Sequence, residues 1–236
     1  MLQVATDPWL AGIMVRPVHR VSGTVATGEE AAAKQALAPA GGFAYARLPT
    51  ADVRSVQLLE DAGFRLVDTG ITLEADVLRG EDGAGAAARS ARPADAAAVG
   101  ALARSAFRFS RFHLDPRIPA RLADEIKAQW AGNFFAGKRG DYMVVTEHAG
   151  EVAGFLQLLA GPDSVLTIDL VAVAEAHRGR GLATAMIRFA ARECGAPARL
   201  RVGTQSANVP SLRLYERLGF TVAATSFVLH RHAAAG

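Results

Sequence analysis

The chain of 236 residues contains 26 basic and 23 acidic side chains, and 50% of its residues are hydrophobic, which is typical of a globular protein with a sizeable core. The formal net charge of +3 is spread over scattered side chains, which favours anionic ligands only weakly and carries no nucleic-acid-binding signature. Cys194 is the single cysteine, so an internal disulfide is excluded, and neither a secretory leader nor a long apolar run is visible. We therefore expect a cytoplasmic protein without membrane or nucleic-acid partners.

A stretch in the first third of the chain is similar to a stretch near the C terminus. Residues 52 to 74, DVRSVQLLEDAGFRLVDTGITLE, align with residues 208 to 230, NVPSLRLYERLGFTVAATSFVLH, at a constant offset of 156. This self-similarity predicts an internal repeat. The eight identities are at Val53, Ser55, Leu58, Glu60, Gly63, Phe64, Thr69 and Leu73 and their partners.

A break in composition follows the first copy of the repeat. Residues 79 to 89, RGEDGAGAAAR, are rich in glycine, alanine and charge and have no apolar periodicity. Such a stretch predicts a linker between two globular segments. We therefore expect two domains, at residues 1 to 80 and 86 to 236.

The second segment alternates between helical and strand patterns. Helices are predicted at residues 93–107 and 120–132, a hairpin at 142–160 around the turn 148–151, a strand at 164–173, a helix at 182–194, a strand at 199–204, a helix at 209–219 and a strand at 226–232. This order predicts an α/β fold with a mixed sheet covered by helices.

The turn AHRGRG carries the predicted strand directly into the helix that starts near residue 182. The first backbone N–H groups of such a helix have no internal partners and, with the positive end of the helix dipole, suit a phosphate. Gly179 and Gly181 have no Cβ atom to block a close approach. Arg178 and Arg180 either add charge-assisted hydrogen bonds or are solvated.

The turn and a later motif together resemble the GCN5-related N-acetyltransferase (GNAT) family. Arg178, Gly181 and Ala183 match that family's acetyl-CoA turn, which reads Arg or Gln, two residues, Gly, one residue, Gly or Ala. The stretch NVPSLRLYERLGF is similar to its second signature, an Asn followed by a helical Leu-Tyr-Glu and Gly-Phe. The resemblance covers the whole second segment and implies the acyl-CoA N-acyltransferase fold and acetyl transfer from acetyl-CoA to an amine.

The resemblance also implies where the cofactor lies. The pyrophosphate of coenzyme A would lie on the N–H groups of the turn, the pantetheine arm beside the strand that ends at Val173, and the thioester carbonyl against the N–H of Val171. Asn208 would hydrogen-bond the pantetheine arm or cap its helix. The implied cofactor-binding residues are Val171, Val173, Arg178, Gly179, Arg180, Gly181, Leu182, Ala183 and Asn208.

Acetyl transfer to an amine needs a proton acceptor for the ammonium and a proton donor for the leaving thiolate. Family members place a helical tyrosine near the sulfur, which makes Tyr215 the candidate acid; the alternative is a core aromatic. Asp169 is the candidate base, because alternation would put its side chain on the same sheet face as that of Val171. A carboxylate in an apolar strand is costly unless it is used or paired, so the alternative is a pairing with an arginine.

The acceptor is expected to contact the segment between the first two helices, FRFSRFHLDPRIP at residues 107 to 119. Its aromatic residues, together with Arg111, His113, Asp115 and Arg117, suit a polar, anionic ligand, although an ordinary ordered connection would read similarly. The segment looks most like the branch of the family that acetylates nucleotide-linked amino-deoxysugars, the TDP-fucosamine acetyltransferase type.

Three functions are consistent with this resemblance. They are a small-molecule N-acetyltransferase, a protein N-terminal or lysine acetyltransferase, and a non-catalytic acyl-CoA-binding regulator. Tyr215 favours the first two, since a pure binder needs no acid. No metal is expected, and a homodimer is left open.

The first copy of the repeat lacks the implied chemistry. Leu59 stands where Tyr215 does, Asp52 where Asn208 does, and SGTVAT at residues 22 to 27 where RGRGLA would be. We therefore expect a degenerate GNAT-like domain that is structural or forms a wall of the substrate cleft. A fragment from about residue 84 onward is expected to keep coenzyme binding.

Overall fold

The computed structural model describes residues 1–37, 41–76, 78 and 88–233. Within these residues one mixed sheet of ten strands is accompanied by eight α-helices. The strands are β1 (Gln3–Thr6), β2 (Val18–Ser22), β3 (Phe43–Pro49), β4 (Arg65–Ala75), β5 (Ala88–Ser90), β6 (Tyr142–His148), β7 (Glu151–Ala160), β8 (Val165–Val173), β9 (Arg199–Gln205) and β10 (Thr221–His232). The helices are α1 (Pro8–Met14), α2 (Glu30–Leu37), α3 (Val53–Asp61), α4 (Ala96–Ala106), α5 (Arg111–Leu114), α6 (Ala120–Phe135), α7 (Leu182–Glu193) and α8 (Val209–Arg217).

The predicted α/β class and the elements of the second segment are confirmed. The β6–β7 hairpin closes through Ala149 and Gly150, whose φ angles of 51° and 84° are the left-handed values that a two-residue hairpin turn needs. Two details differ from the prediction. The segment 107–119 contains the one-turn helix α5, and β10 begins at Thr221 rather than 226 because its exposed first residues pair with β4.

The predicted linker at residues 79–89 is wrong at its last two residues. Ala88 and Arg89 belong to β5, which pairs with β6. The Arg89 guanidinium donates hydrogen bonds of 2.8 and 2.9 Å to Asp95 and also contacts Glu147, which holds this short strand at the sheet edge. Residues 79–87 of the linker, and with them the predicted boundaries at 80 and 86, lie outside the described residues.

The first half of the chain, which contains β1 to β4, and the second half, which contains β5 to β10, exchange strands within the sheet. The strand order is β1-β2-β3-β10-β4-β9-β8-β7-β6-β5. The parallel pair β2–β3 of the first half corresponds to the parallel pair β8–β9 of the second. Each pair is completed by the other half, because β10 lies against β3 and β4 lies against β9. Neither half therefore has a complete sheet of its own.

The aligned residues of the repeat have the same local roles in both copies. Asp52 caps α3 by accepting a hydrogen bond from the N–H three residues later at 3.2 Å, and Asn208 caps α8 in the same way at 3.3 Å. Gly63 and Gly219 follow the two helices with φ angles of 87° and 92°, the left-handed conformation common after a helix. The identities of the repeat thus include positions that start and stop a helix.

The helices are divided between the two faces of the sheet. The helices α2, α3, α7 and α8 pack on one face, over two apolar clusters that include Leu48 and Leu59 in the first half and Ile168 and Met186 in the second. The helices α1, α4, α5 and α6 cover the other face, where α5 and α6 of the second half pack on Phe43 of the first. None of the described helices combines the length and apolar composition needed to cross a bilayer.

Candidate functional site

A cavity of about 660 Å³ opens where β8 and β9 separate. Their parallel pairing ends at Ile168 and Val202, although β8 continues to Val173 and β9 to Gln205. Separated strands leave backbone groups unpaired and room for a ligand between them. The lining consists of Val171 to Val173, the turn before α7, the first turn of α7, Gln205, one side of α8 from Asn208 to Arg217, and residues 106–110 at the end of α4 and after it.

The predicted phosphate turn forms one end of this cavity. Gly179 and Gly181 have φ angles of 76° and 77°, and a Cβ atom on either would meet nothing within 4 Å. Glycine is therefore required here for its left-handed backbone and not to relieve crowding. The first hydrogen bond at the start of α7 runs from Ala185 N to Gly181 O at 2.9 Å, so the N–H groups of residues 182–184 lack helical acceptors, and no acidic residue lies in this first turn. The turn thus fits an anion.

The two arginines of the turn have different environments. The guanidinium of Arg178 donates to the carbonyl oxygens of Val173 and Ala106, both at 3.3 Å, and lines the cavity. It thereby ties the turn to the end of β8 and to the end of α4. Arg180 is exposed and lies outside the cavity lining, which agrees with the alternative that this side chain is solvated.

The start of α8 forms another wall of the cavity. Asn208 lines the cavity and accepts a hydrogen bond from Ser211 N through its side-chain oxygen, so the capping alternative is observed. Ligand binding by Asn208 stays a prediction.

Tyr215 lies in the core rather than in the cavity wall. Its side chain is 2% exposed, its ring lies 5.4 Å from that of Phe220, and the cavity is lined instead by its neighbours Ser211 and Leu214. Burial raises the pKa of Tyr215 above its ordinary value, so the hydroxyl stays protonated. The core position predicted as the alternative is observed, and the acid role stays a prediction.

Asp169 is paired with an arginine. Its carboxylate accepts bidentate hydrogen bonds of 2.8 and 2.7 Å from Arg139, one of 2.9 Å from Trp130 Nε1 and one of 3.2 Å from Gln157. The hydrogen bonds to Asp169 raise the pKa of Arg139. Three of these donors bond to Oδ2 and one to Oδ1, and the paired guanidinium favours the ionised carboxylate, which disfavours Asp169 as a proton acceptor. The pairing alternative is therefore the one observed.

The prediction that Asp169 and Val171 share a sheet face is wrong. Gln157 pairs with Leu170 while the next residue of β7 pairs with Ile168, so Asp169 is an extra residue that forms a β-bulge. The bulge reverses the alternation of β8. Val171 packs with Ile168 on the α7 side, whereas Asp169 bonds Trp130 of α6 and Leu170 packs on the same side.

The predicted substrate segment is divided between the cavity and the first half. Phe107 to Ser110 line the cavity. The guanidinium of Arg111 instead lies 3.8 Å from the ring centre of Tyr45, and burial lowers its pKa to about 10. His113 is held between Ser110 at 2.6 Å and Asp124 at 3.0 Å, and burial lowers its pKa. The structure thus brings neither Arg111 nor His113 to the cavity wall.

Asp115 fastens the same segment to the last strand. Its carboxylate, 3% exposed, lies 2.7 Å from His230 Nδ1 and 2.8 Å from His232 Nε2, and it also accepts the N–H of Arg117. Burial raises the pKa of Asp115, but the two histidine hydrogen bonds outweigh it and hold the pKa well below its usual range. The ligand atoms of Asp115, His230 and His232 lie within 4.8 Å of one another, and hydrogen bonds account for this arrangement. Asp115 and Arg117 lie away from the cavity lining.

Several residues of this region were missed by the sequence analysis. Trp130 and Arg139 hold Asp169, and Gln205 lines the cavity. Gln157 and Lys127 are buried at 0% and 8% exposure. A signal for these last two was present, because each is a polar residue on an otherwise apolar strand or helix face.

Comparison with known proteins places this chain among acetyltransferases. A family model described as the acetyltransferase (GNAT) family matches residues 103–220, which is half of the chain. The spore coat polysaccharide biosynthesis protein SpsD of Bacillus subtilis (strain 168) is 35% identical over 140 residues, 58% of this chain and 48% of that protein. The dTDP-fucosamine acetyltransferase of Escherichia coli O6:H1 is 27% identical over 189 residues, 79% of this chain and 80% of that protein. The chain thus spans about half the length of the first of these relatives.

A solved structure extends the likeness to both halves. A GCN5-related N-acetyltransferase from Sphaerobacter thermophilus superposes with a TM-score of 0.66 at 14% identity, covering 100% of this chain and 78% of that chain. At this identity the likeness shows a shared fold alone.

Proposed function

Since the chain belongs to the acetyltransferase (GNAT) family, we propose that it moves an acetyl group from acetyl-CoA to the primary amine of a small molecule. The observation that carries the proposal is the left-handed glycine turn that opens α7 at the end of the β8–β9 cavity. The turn lies inside the matched residues 103–220. The cavity volume of about 660 Å³ is within the range of roughly 300–1,000 Å³ that is common for ligand sites.

Residues of the cavity wall would hold the cofactor. The free N–H groups of Leu182 and Ala183 suit its pyrophosphate, because they are donors at the positive end of a helix dipole. The backbone of Val171 borders the cavity where β8 has left β9, and its N–H would polarise the thioester carbonyl. Asn208 is placed to contact the pantetheine arm while its oxygen caps α8.

Proton transfer is the second task of the site. The acceptor ammonium must lose a proton before its nitrogen attacks, and the leaving thiolate must gain one. Tyr215 remains the proposed acid, since its hydroxyl is protonated across the physiological pH range. Asp169 acts in this scheme as the partner that orients Arg139 and Trp130.

The proposed acceptor is a nucleotide-linked amino-deoxysugar. The relative from Escherichia coli O6:H1 is named for acetylation of dTDP-fucosamine, and the match covers 79% of this chain. A match of that length exceeds the second segment and must include part of the first. The shared region thus reaches beyond the cofactor cavity into the first half, where a wall of the acceptor site is expected.

The test is a screen of acceptor amines. Purified protein, acetyl-CoA and single candidate amines are mixed, and release of free thiol is followed. We expect dTDP-linked amino sugars to give the highest kcat/KM, with simple amines and peptides far lower. Preference for a peptide amine would favour a protein acetyltransferase, and cofactor binding without any turnover would favour a non-catalytic regulator; either result contradicts the proposal.

A further inference from the structure

Three cationic side chains lie on the sheet face that α5 and α6 cover, and none of the three forms a salt bridge with a described residue. They are Lys127 of α6, Arg111 of α5 and Arg47 of β3. Within residues 1–37, 41–76, 78 and 88–233, no carboxylate comes within salt-bridge distance of any of them. Cations in such a cluster repel one another, so their positions favour an added anion.

Lys127 is the most buried of the three. Its side chain is 8% exposed, and its ammonium lies 4.8 Å from the ring centres of Phe107 and Trp130, with no hydrogen-bond acceptor among the described residues. A buried ammonium is costly unless an acceptor compensates it. The nearby Asp169 is already engaged by the bidentate guanidinium of Arg139.

The charged groups around Lys127 act on its pKa in both directions. Burial is the largest cause and, together with Arg111 and Arg139 and against the opposing effect of Asp169, lowers the pKa to about 8. His113 also lies within electrostatic range. An anion bound at the ammonium would offset both the burial and the two guanidinium groups.

The cations form a strip beside the cofactor cavity, in which Arg111 lies within electrostatic range of both Lys127 and Arg47; none of the three lines the cavity, but each end of the strip adjoins its wall through a neighbour. At one end, the ring of Phe107 separates Lys127 from the cavity that it lines. At the other end, Arg47 Nη1 would lie 3.4 Å from a Cβ atom on Gly70, which pairs with the cavity residue Gln205. Between them, Arg111 stacks on Tyr45 of the first half.

We propose that Lys127, Arg111 and Arg47 form a second anion subsite, which binds the diphosphate of the acceptor. The proposal rests on the proposed function and assigns the place where the diphosphate of its nucleotide-linked acceptor binds. The charges favour a diphosphate over a carboxylate, because the three cations outnumber Asp7 and Asp68, the acids that act on Arg111 and Arg47. The carboxylate near Lys127, that of Asp169, is already paired with Arg139. The first half of the chain supplies Arg47 and thus a part of the substrate site.

Intrinsic fluorescence reports directly on this subsite. The chain has two tryptophans: Trp130 lies beside Lys127, and the ring centre of Trp9 lies 5.7 Å from that of Trp130. Full-length protein saturated with coenzyme A is titrated with dTDP, so that the glycine turn is already occupied, and thymidine serves as the uncharged control. We expect a saturable change with dTDP and at least tenfold weaker binding of thymidine. Equal affinities for the two, or no dTDP binding, would overturn the subsite.

Substitutions at Lys127 separate charge from packing. Lys127→Met should weaken dTDP binding by about tenfold or more, the typical worth of a charge-assisted hydrogen bond. Lys127→Arg should recover most of the affinity, because the charge is kept. Lys138→Met removes an exposed lysine just after α6 and should change nothing. Unaltered coenzyme A binding in all three variants checks the fold, and wild-type dTDP affinity in Lys127→Met would contradict the proposal.

The outcomes distinguish this subsite from the proposed function. If dTDP binds through Lys127 but no amine is acetylated, the transferase proposal fails and the subsite stands. If phosphate-free amines are acetylated as well as dTDP-linked ones, and dTDP does not compete, the transferase proposal stands and the subsite is wrong.

Discussion

The two halves of the sheet share a topology, but they treat the start of their corresponding helices differently. In the second half, Gly181 leaves open space in front of α7, and Ser211 lines the cavity. In the first half, the aligned Val25 is 5% exposed, and its N–H donates to the aligned Ser55 at 2.8 Å. The first half thus fills with its own side chains the space that the second half keeps for a ligand.

Carboxylates complete the contrast. The N–H groups of Ala26 and Gly28 donate to the side chains of Glu29 and Glu30 at 3.2 and 2.9 Å, just before α2. The first turn of α7 has no acidic residue. The N–H groups before α2 already donate to carboxylates of the chain, so they are not available to a phosphate. The N–H groups at the start of α7 have no such acceptors and remain able to bind an anion. The cap and helix-stop positions of the repeat are therefore the same in both copies, whereas a helix start without carboxylates is present only at α7 of this pair.

The largest expected effect comes from separating the halves. A chain that begins at Ala88 lacks β4, which lies between β9 and β10 and borders the cavity strand β9. Contrary to the expectation from the sequence, we predict that this fragment neither unfolds cooperatively nor binds acetyl-CoA, and that adding residues 1–76 restores both. Circular dichroism and calorimetry measure this. Wild-type affinity in the isolated fragment would mean that the exchange of strands is dispensable.

The next effect concerns the glycine turn. Gly181→Glu should abolish acetyl-CoA binding in calorimetry, because it places a negative charge against the pyrophosphate. Gly181 has a left-handed backbone, so any side chain at this position lowers the free energy of unfolding by about 1–2 kcal/mol. Ala183→Glu serves as a second test, because residue 183 has a helical backbone. Thr27→Glu at the aligned position of the first half should bind normally. Equal losses at residues 27 and 183 would mean that both halves bind the cofactor.

A substitution at Tyr215 tests whether this tyrosine, which has no counterpart in the first copy of the repeat, is the proton donor for the leaving thiolate. Tyr215→Phe keeps the packing but removes the proton, so turnover should fall by roughly 10²–10⁴ with acetyl-CoA affinity little changed. Burial raises the pKa of Tyr215, so the wild-type rate should decline only above its ordinary value of about 10, and the variant should lack this decline. Tyr142→Phe is the control on β6. Near-normal turnover in Tyr215→Phe would leave the residue a packing group.

The pH dependence of dTDP binding tests whether Lys127 binds an anion on the sheet face to which both halves contribute cations. Lys127 is charged below its pKa of about 8, and the terminal phosphate of dTDP is fully charged above its own second pKa of about 6. The dTDP affinity should therefore be full between these two pH values and fall by up to about tenfold per pH unit above the upper one. In Lys127→Arg the decline should vanish, because arginine stays charged. A decline of the same size in that variant would assign it to a group other than Lys127; His113 is not such a group, because burial lowers its pKa below the ordinary value for histidine.

The smallest effects are expected at the two helix caps. Asp52→Ala and Asn208→Ala should each lower the free energy of unfolding by about 1 kcal/mol, because each removes one capping hydrogen bond. Only Asn208→Ala should also weaken acetyl-CoA binding, and Asn208→Ser should restore the stability without the affinity. Chemical denaturation and calorimetry separate the two. Equal affinity in both alanine variants would leave Asn208 a cap alone.

The sequence by itself determined the elements of the second segment, the glycine turn and the repeat, because these depend on periodicity and on residues close together in the chain. Gly179 and Gly181, for example, are three or fewer residues from the helix start that they shape. The same local logic offered Asn208 as the cap of α8, as one of two alternatives, and aligned Asp52 with it.

Only the tertiary structure decided how these parts meet. The bulge at Asp169 reverses side-chain alternation, and a single added residue leaves no mark in the apolar pattern of β8. The pairing of Asp169 with Arg139, of Asp115 with His230, and of β4 with β9 joins residues 30 to more than 100 positions apart. Such contacts depend on strand order and register in three dimensions, which local periodicity does not encode, and they place the first half beside the site of the second.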